Sequence, residues 1–240
     1  MPTPTNLYNP FLPRQIPPLR IFPSPTLSNL FPNNSPLPSF PRLPSSSSPS
    51  ERNNYLLIIP TANASKTTLL KSHLTNLLPP SSTLSTLTIP ATSNAGEQPY
   101  DSLGPIGAYN RILNALNSYS SSPSKHKGTI IIASIENFIQ IDGEKGIDYG
   151  FVVIYNGSTG HIRRGISRGV EVPKEYLKEA RKYGFEDEEK GKGKVTIGEV
   201  LEANLGGRVE KADWHRVLTE GGVSRYELLR EALEGVGVPW

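Results

Sequence analysis

The apolar positions of this 240-residue chain change period several times, and each change predicts an element. Tyr55-Leu56-Leu57-Ile58-Ile59 is a short continuous apolar run, the signature of a strand covered on both faces. Leu70, Leu74, Leu77 and Leu78 follow at helical spacing, so the chain reads strand, tight loop, helix. A second strand is predicted over residues 86–89. Ile106, Tyr109, Leu113 and Leu116 mark a second amphipathic helix, which gives way to a polar loop over residues 118–125. Residues 128–134 form the strongest central-strand candidate. Residues 149–155 and 160–167 read as the arms of a hairpin around Asn156-Gly157, a dipeptide suited to a primed turn. Pro173 opens a helix that runs to about Tyr183 with Gly184 as its stop, and residues 186–194 read as a charged loop. Two capping boxes, Thr196/Glu199 and Ser224/Glu227, start two further helices, the last carrying Leu229, Ala232 and Leu233. The sum is an α/β domain over residues 53–240 with a mixed central sheet flanked by helices.

Residues 1–52 follow a different rule. Prolines alternate there with isolated apolar residues, as in Ile16-Pro17-Pro18-Leu19 and Leu37-Pro38-Ser39-Phe40-Pro41, which removes ladder donors and blocks helix interiors. A disordered Pro/Ser-rich tail without a packed fold is expected. Its PxxP-like spacings suit SH3 or WW domains as partners. Charge separates the two regions as well. Removing the tail's Arg14, Arg20 and Arg42 from the 25 basic residues leaves 22 against 22 acidic ones, all of which lie from Glu51 onward. The domain is therefore formally neutral, and no nucleic-acid partner is expected despite the net charge of +3. The absence of cysteine excludes thiolate chemistry and fits a reducing compartment, so a cytoplasmic protein is expected. A mitochondrial destination is the alternative, since the acid-free tail is similar to a transit peptide, although its prolines oppose the amphipathic helix such a peptide needs. No apolar run approaches the ~20 residues of a membrane span.

Candidate chemistry gathers in three places. Pro60-Thr61-Ala62-Asn63-Ala64-Ser65-Lys66 joins the first strand to the first helix with small, hydroxyl and amide residues and one lysine, a suitable cradle for an anion. An ordinary cap on Asn63 or Ser65 with a solvated Lys66 explains the same residues. Gly96-Glu97-Gln98-Pro99 and Gly107-Ala108-Tyr109-Asn110-Arg111 place Gln98 and Asn110 to read a base or ribose edge and Arg111 to meet phosphate, or else decorate an amphipathic face. Glu136 leaves the apolar strand at its carboxyl end, where open α/β sheets put their sites, and with Asp148, Asp142 or Glu144 it makes an oxygen set for a divalent cation. Weaker candidates are Arg225, at a glycine-softened helix start, and the basic arm Arg163, Arg164 and Arg168. The histidines His73, His126, His161 and His215 lack zinc-ligand spacing, and His215 beside Trp214 reads as a packed histidine.

In this order the segments resemble the inosine/xanthosine triphosphatase family of house-cleaning purine phosphatases. Thr61 to Lys66 is similar to its phosphate loop, Gly96-Glu-Gln-Pro99 and Gly107-Ala-x-Asn-Arg111 to its paired loop and helix, and Ile135-Glu136 to its strand-end acid. Val195-Thr-Ile-Gly-Glu-Val200, Asp213-Trp-His215 and the tail are closer to a eukaryotic, proline-rich, Golgi-associated coiled-coil branch, and a Golgi association is a further expectation. The resemblance implies a long cleft between two lobes, hydrolysis of inosine or xanthosine triphosphate with Mg²⁺ or Mn²⁺, and a homodimer. Carried over by position, Thr61, Asn63, Ser65 and Lys66 would hold the triphosphate, Gln98, Asn110, Arg111 and Arg225 would line the nucleotide cleft, and Glu136 would bind the metal with Asp148. Lys66 and Glu136 would be catalytic. Thr92 stands where bacterial members resemble a second metal carboxylate. A catalytically silent scaffold for protein–protein interaction is the alternative function.

Overall fold

In the computed structural model, which describes residues 16–30, 39–43, 53–122, 126–206 and 208–237, the apolar run of β2 (Asn54–Ile59) splits its side chains between two layers. Leu56 and Ile58 enter one core with Ile130 and Ile132, while Tyr55, Leu57 and Ile59 enter another with Ile131 and Ala133. This is the two-fold alternation of a strand covered on both faces. Helix α2 (Ala64–Leu77) lays Leu70 and Leu74 on the second core, and burying each such side chain stabilises by about 1.5–3 kcal/mol. Helix α3 (Leu103–Ser120) covers the opposite face with Ile112 and Leu116.

The other strands are β1 (Ile21–Phe22), β3 (Thr83–Thr88), β4 (Gln98–Pro99), β5 (Thr129–Asp142), β6 (Lys145–Asn156), β7 (Ile162–Ile166), β8 (Gly169–Val172) and β9 (Lys192–Gly193). The main sheet runs β1-β8-β6-β5-β2-β3, with β7 also on β6, and β4 pairs β9 apart from it. Strands β2, β3 and β5 are parallel, while β6, β7, β8 and β1 join antiparallel, so the sheet is mixed as expected. Strand β3 forms one edge and is mostly exposed. Short α1 (Leu27–Leu30) precedes the domain, and α4 (Lys174–Lys182), α5 (Ile197–Leu205), α6 (His215–Leu218) and α7 (Arg225–Glu234) complete it. Both capping boxes form at the predicted residues.

The strand predicted over residues 128–134 does not stop there. It continues as β5 and turns at Gly143, with φ of +60°, into β6, pairing from Ile131↔Asn156 to Asp142↔Lys145. The far half of this hairpin, through Ile139, belongs to a third core with Val172, Leu177, Leu201 and Trp214. One long hairpin thus serves two lobes, and the cleft lies between them. The Asn156-Gly157 turn also differs from the two-residue turn expected. Asn156 N donates to His161 O at 2.9 Å, its Oδ1 accepts from Ser158 N and Thr159 N, and the positive φ falls on Gly160. An asparagine side chain that bonds the backbone two and three residues on favours this longer loop.

The tail expectation is corrected where the chain is described. Leu19 and Leu30 are buried, β1 pairs with β8, and Phe40 and Leu43 pack against the first core. Proline removes donors but leaves the apolar side chains between prolines free to anchor, and Ile21-Phe22 is a proline-free pair with room for a strand. Residues 1–15, 31–38 and 44–52 lie outside the described residues. Among those described, no helix is long and apolar enough to cross a membrane.

Candidate functional site

A cleft of about 830 Å³ opens between the lobes, a volume in the range of small-molecule sites. The β2–α2 loop forms one wall. Asn63 is the helix cap, its Oδ1 accepting from Lys66 N at 3.0 Å, and Thr61 Oγ1 in turn accepts from Asn63 N at 3.2 Å. The capping explanation therefore holds for Asn63, but not the solvated lysine that went with it. Lys66 reaches the cleft and donates from Nζ to Ile135 O at 3.0 Å. Burial pushes its ammonium below the ordinary value, Glu136 opposes this, and Arg225 and Arg111 add to it. Ser65 sits in the first turn of α2 and does not line the cleft.

Helix α3 supplies the next group. Arg111 Nε meets Glu136 Oε2 at 2.9 Å and Nη2 meets Oε1 at 3.4 Å, a forked pair with a carboxylate that is 5% exposed. Its Nη1 donates to Ala91 O at 2.6 Å, Asn110 Nδ2 to Ser93 O at 2.8 Å, and Asn114 Nδ2 to Thr92 O at 3.0 Å. Three α3 side chains thereby hold three successive carbonyls of the loop over the cleft. Gly107 permits this approach, since a Cβ there would stand 2.9 Å from Ala95 Cβ. Asn110 is committed to that loop and does not line the cleft. Gln98 lines it, yet its Oε1 accepts from Ile197 N at 3.1 Å in the first turn of α5 and its Nε2 donates to Pro99 O at 3.3 Å. Its amide is thus committed to the start of α5.

Asp148 reaches the cleft from β6. Its Oδ2 accepts from both Arg225 Nη2 and His215 Nε2, each at 2.8 Å. Burial raises this carboxyl, and Arg225 and His215 more than offset it, so it stays below the ordinary range. His215, 1% exposed and stacked on Trp214, is pushed below its ordinary value by burial and by Arg225 against the pull of Asp148. Arg225 is fixed further where Asp213 Oδ1 accepts its backbone N–H at 2.6 Å and Asp213 Oδ2 accepts from Ser224 Oγ at 2.6 Å. Lys211, paired at 3.8 Å with Glu199, is a further cation on the opposite wall.

The cleft thus gathers Thr61, Lys66, Arg111, Glu136, Asp148 and Arg225. Asp142 and Glu144 do not join them: they lie at the far end of the β5–β6 hairpin, where Glu144 pairs with Lys174. The basic arm is also elsewhere. Arg164 donates to the Tyr109 hydroxyl, and Arg168 meets Glu231 at 2.7 Å on the surface. Sequence reasoning missed His215 as the partner of Asp148, Asn114 as a loop clamp, and Lys211, none of which carries a local motif.

Among the described residues no group of three or more His, Cys, Asp or Glu is placed to hold a metal ion. Glu136 and Asp148 share the cleft, but each already meets a guanidinium. Such a donor set fits a hard cation that arrives with phosphate oxygens to complete its shell, rather than one held by protein alone.

No family model matches the chain, and no curated protein matches it. Among solved structures, the crystal structure of protein VC0702 from Vibrio cholerae has a similar fold, with a TM-score of 0.55 and 18% identity over 75% of this chain and 90% of that one.

Proposed function

We propose that the cleft binds a purine nucleoside triphosphate and hydrolyses its phosphoanhydride, with inosine and xanthosine triphosphates as substrates and Mg²⁺ or Mn²⁺ as the ion. The observation that carries this reading is the convergence of Lys66, Arg111 and Arg225, from three separate elements, beside two carboxylates in one cleft of nucleotide size. The mixed sheet flanked by helices, with the cleft beside it, supports this reading, since the resemblance implies a mixed α/β sheet and a long cleft.

In this reading Lys66 and the first-turn N–H groups of α2 neutralise phosphate oxygens, and Arg111 offers its guanidinium edge. Glu136 and the loop carbonyl at Ala91 hold Arg111 in place, as Asp148 and Asp213 hold Arg225. Glu136 and Asp148 would hold the divalent ion, which withdraws charge from the phosphoryl oxygens. As a water oxygen bonds to phosphorus and the anhydride oxygen departs, Lys66 and the two arginines stabilise the charge that develops. The test is phosphate release by the full chain with magnesium and a panel of ITP, XTP, GTP and ATP, with Lys66→Ala as the control. Turnover of ITP or XTP above ATP, lost in the variant, is expected. Folded protein that turns over none of them overturns the reading.

One observation favours the alternative of a catalytically silent scaffold: both carboxylates are already ion-paired, and the Thr92 hydroxyl accepts from Asn114 Nδ2 at 3.2 Å. Calorimetric binding of ITP without turnover would select it.

A further inference from the structure

Residues 39–43 (Ser-Phe-Pro-Arg-Leu) have no helix or strand of their own, yet they sit in a shaped groove on the face that α3 and the β6–β7 turn share. Phe40 stacks on Tyr109 at a centroid distance of 5.3 Å and 17° and lies against Tyr155 at 4.8 Å and 50°. The Tyr155 hydroxyl donates to Pro41 O at 2.7 Å, and Leu43 N donates to Gly157 O at 2.8 Å. The groove is cut to this shape by two glycines. A Cβ on Gly157 would stand 3.0 Å from Leu43 Cδ1, and one on Gly160 would stand 2.7 Å from Arg42 Nε. Aromatic walls, a tyrosine hydroxyl aimed at a peptide carbonyl, and a ligand whose prolines limit its freedom before binding are the physical ingredients of proline-rich peptide recognition.

We infer that this groove is a peptide-recognition site for Phe-Pro-Arg-Leu-type segments, which the chain's own residues 40–43 fill in cis and which a proline-rich segment of another chain fills when they are displaced. Its specificity is an aromatic residue for the Tyr109/Tyr155 wall, a proline whose carbonyl meets Tyr155, and an aliphatic residue two positions on against Gly157. Arginine between them lies over Gly160. Because Pro41 lacks an N–H, the peptide's own donor in this set is Leu43 N, and the groove meets it with the Gly157 carbonyl. Phe-Pro recurs at Phe22-Pro23 and Phe31-Pro32, but Pro25 and Asn34 stand there in place of Leu43, so residues 40–43 carry the full pattern.

The test uses the full chain and a fluorescent octapeptide of residues 37–44, followed by anisotropy. A tethered segment competes at an effective concentration in the millimolar range, so a chain carrying Phe40→Ala and Leu43→Ala should bind the peptide at least ~10-fold more tightly than wild type. Adding Tyr155→Phe to that variant should weaken the binding, and a scrambled peptide should not bind. Circular dichroism establishes that the variant is folded. If it is not, wild-type chain bearing a fluorine at Phe40 decides instead, because excess peptide must move that resonance to its released position. Failure of a folded variant to bind, equal binding of the scrambled peptide, or an unmoved fluorine resonance at ~5 mM peptide overturns the inference.

Discussion

Arg111 and Arg225 leave similar fractions of their side chains exposed, 25% and 21%, and each meets a buried carboxylate, but Asp148 is shared with His215 whereas Glu136 meets Arg111. Both pairs face one cleft, but they sit on different foundations. Glu136 belongs to a strand covered on both faces, and Arg111 is held by the loop it clamps, so either partner has backbone support without the other. Asp148 instead gathers two donors that have nowhere else to go: His215 Nδ1 and Arg225 Nε are buried without a partner among the described residues. The first pair leaves Arg111 part-exposed at the cleft. The second joins three elements, since Asp148 lies on β6 while His215 and Arg225 belong to α6 and α7.

The sharpest way to break this contrast is to remove the acids one at a time. Asp148→Ala removes the acceptor of the part-buried Arg225 guanidinium and of the buried His215 and should cost about 3 kcal/mol in denaturant unfolding. Glu136→Gln and Lys66→Ala should instead lower ITP or XTP turnover at least ~100-fold, with thermal midpoints close to wild type. Equal stability losses at Glu136 and Asp148 would erase the distinction. Acid separates the pairs next. The folded protein holds His215 below its ordinary value of 6.5, so the unfolded chain binds the extra proton first. Stability should be full above about pH 6.5 and fall as the pH drops below it, and His215→Gln should flatten that slope in a urea titration across pH 4 to 7. The Asp148 carboxyl, held down instead, keeps its contribution until pH falls below its ordinary value of 3.8. Smaller is Asn63→Ala, which removes the cap beneath Lys66 and should cost about 1 kcal/mol by thermal melt. Smallest is Arg168→Ala, whose partner Glu231 is as exposed as the arginine itself, and whose effect should stay within about 0.5 kcal/mol.

Much of the fold was legible because it is written in local periods. The β2 run, the leucines of α2 and the two capping boxes each depend on residues within a turn or a strand of one another. The far half of β5 was not legible, because Glu136 and Asn137 interrupt its apolar pattern where the strand passes the cleft. In the site, Lys66 and Arg225 were legible as charges in the first turn of a helix, and Arg111 and Glu136 as charges set within apolar patterns, although Glu136 falls inside β5 rather than at its end. The Asp148–His215 bond was not, since it joins residues that meet only after the second lobe has formed. The packing of Phe40 and Leu43 was hidden because proline density rules out regular structure without ruling out anchorage.

The β3 edge has a consequence for the protein in bulk. Thr83-Leu-Ser-Thr-Leu-Thr88 carries no charge and no proline, ends the sheet, and leaves Leu87 39% exposed. None of the usual guards against edge-to-edge pairing is present there. Concentrated protein would self-associate along this strand before any other part of the sheet, and a lysine introduced at Ser85, which is exposed, would raise the solubility limit without touching the cleft.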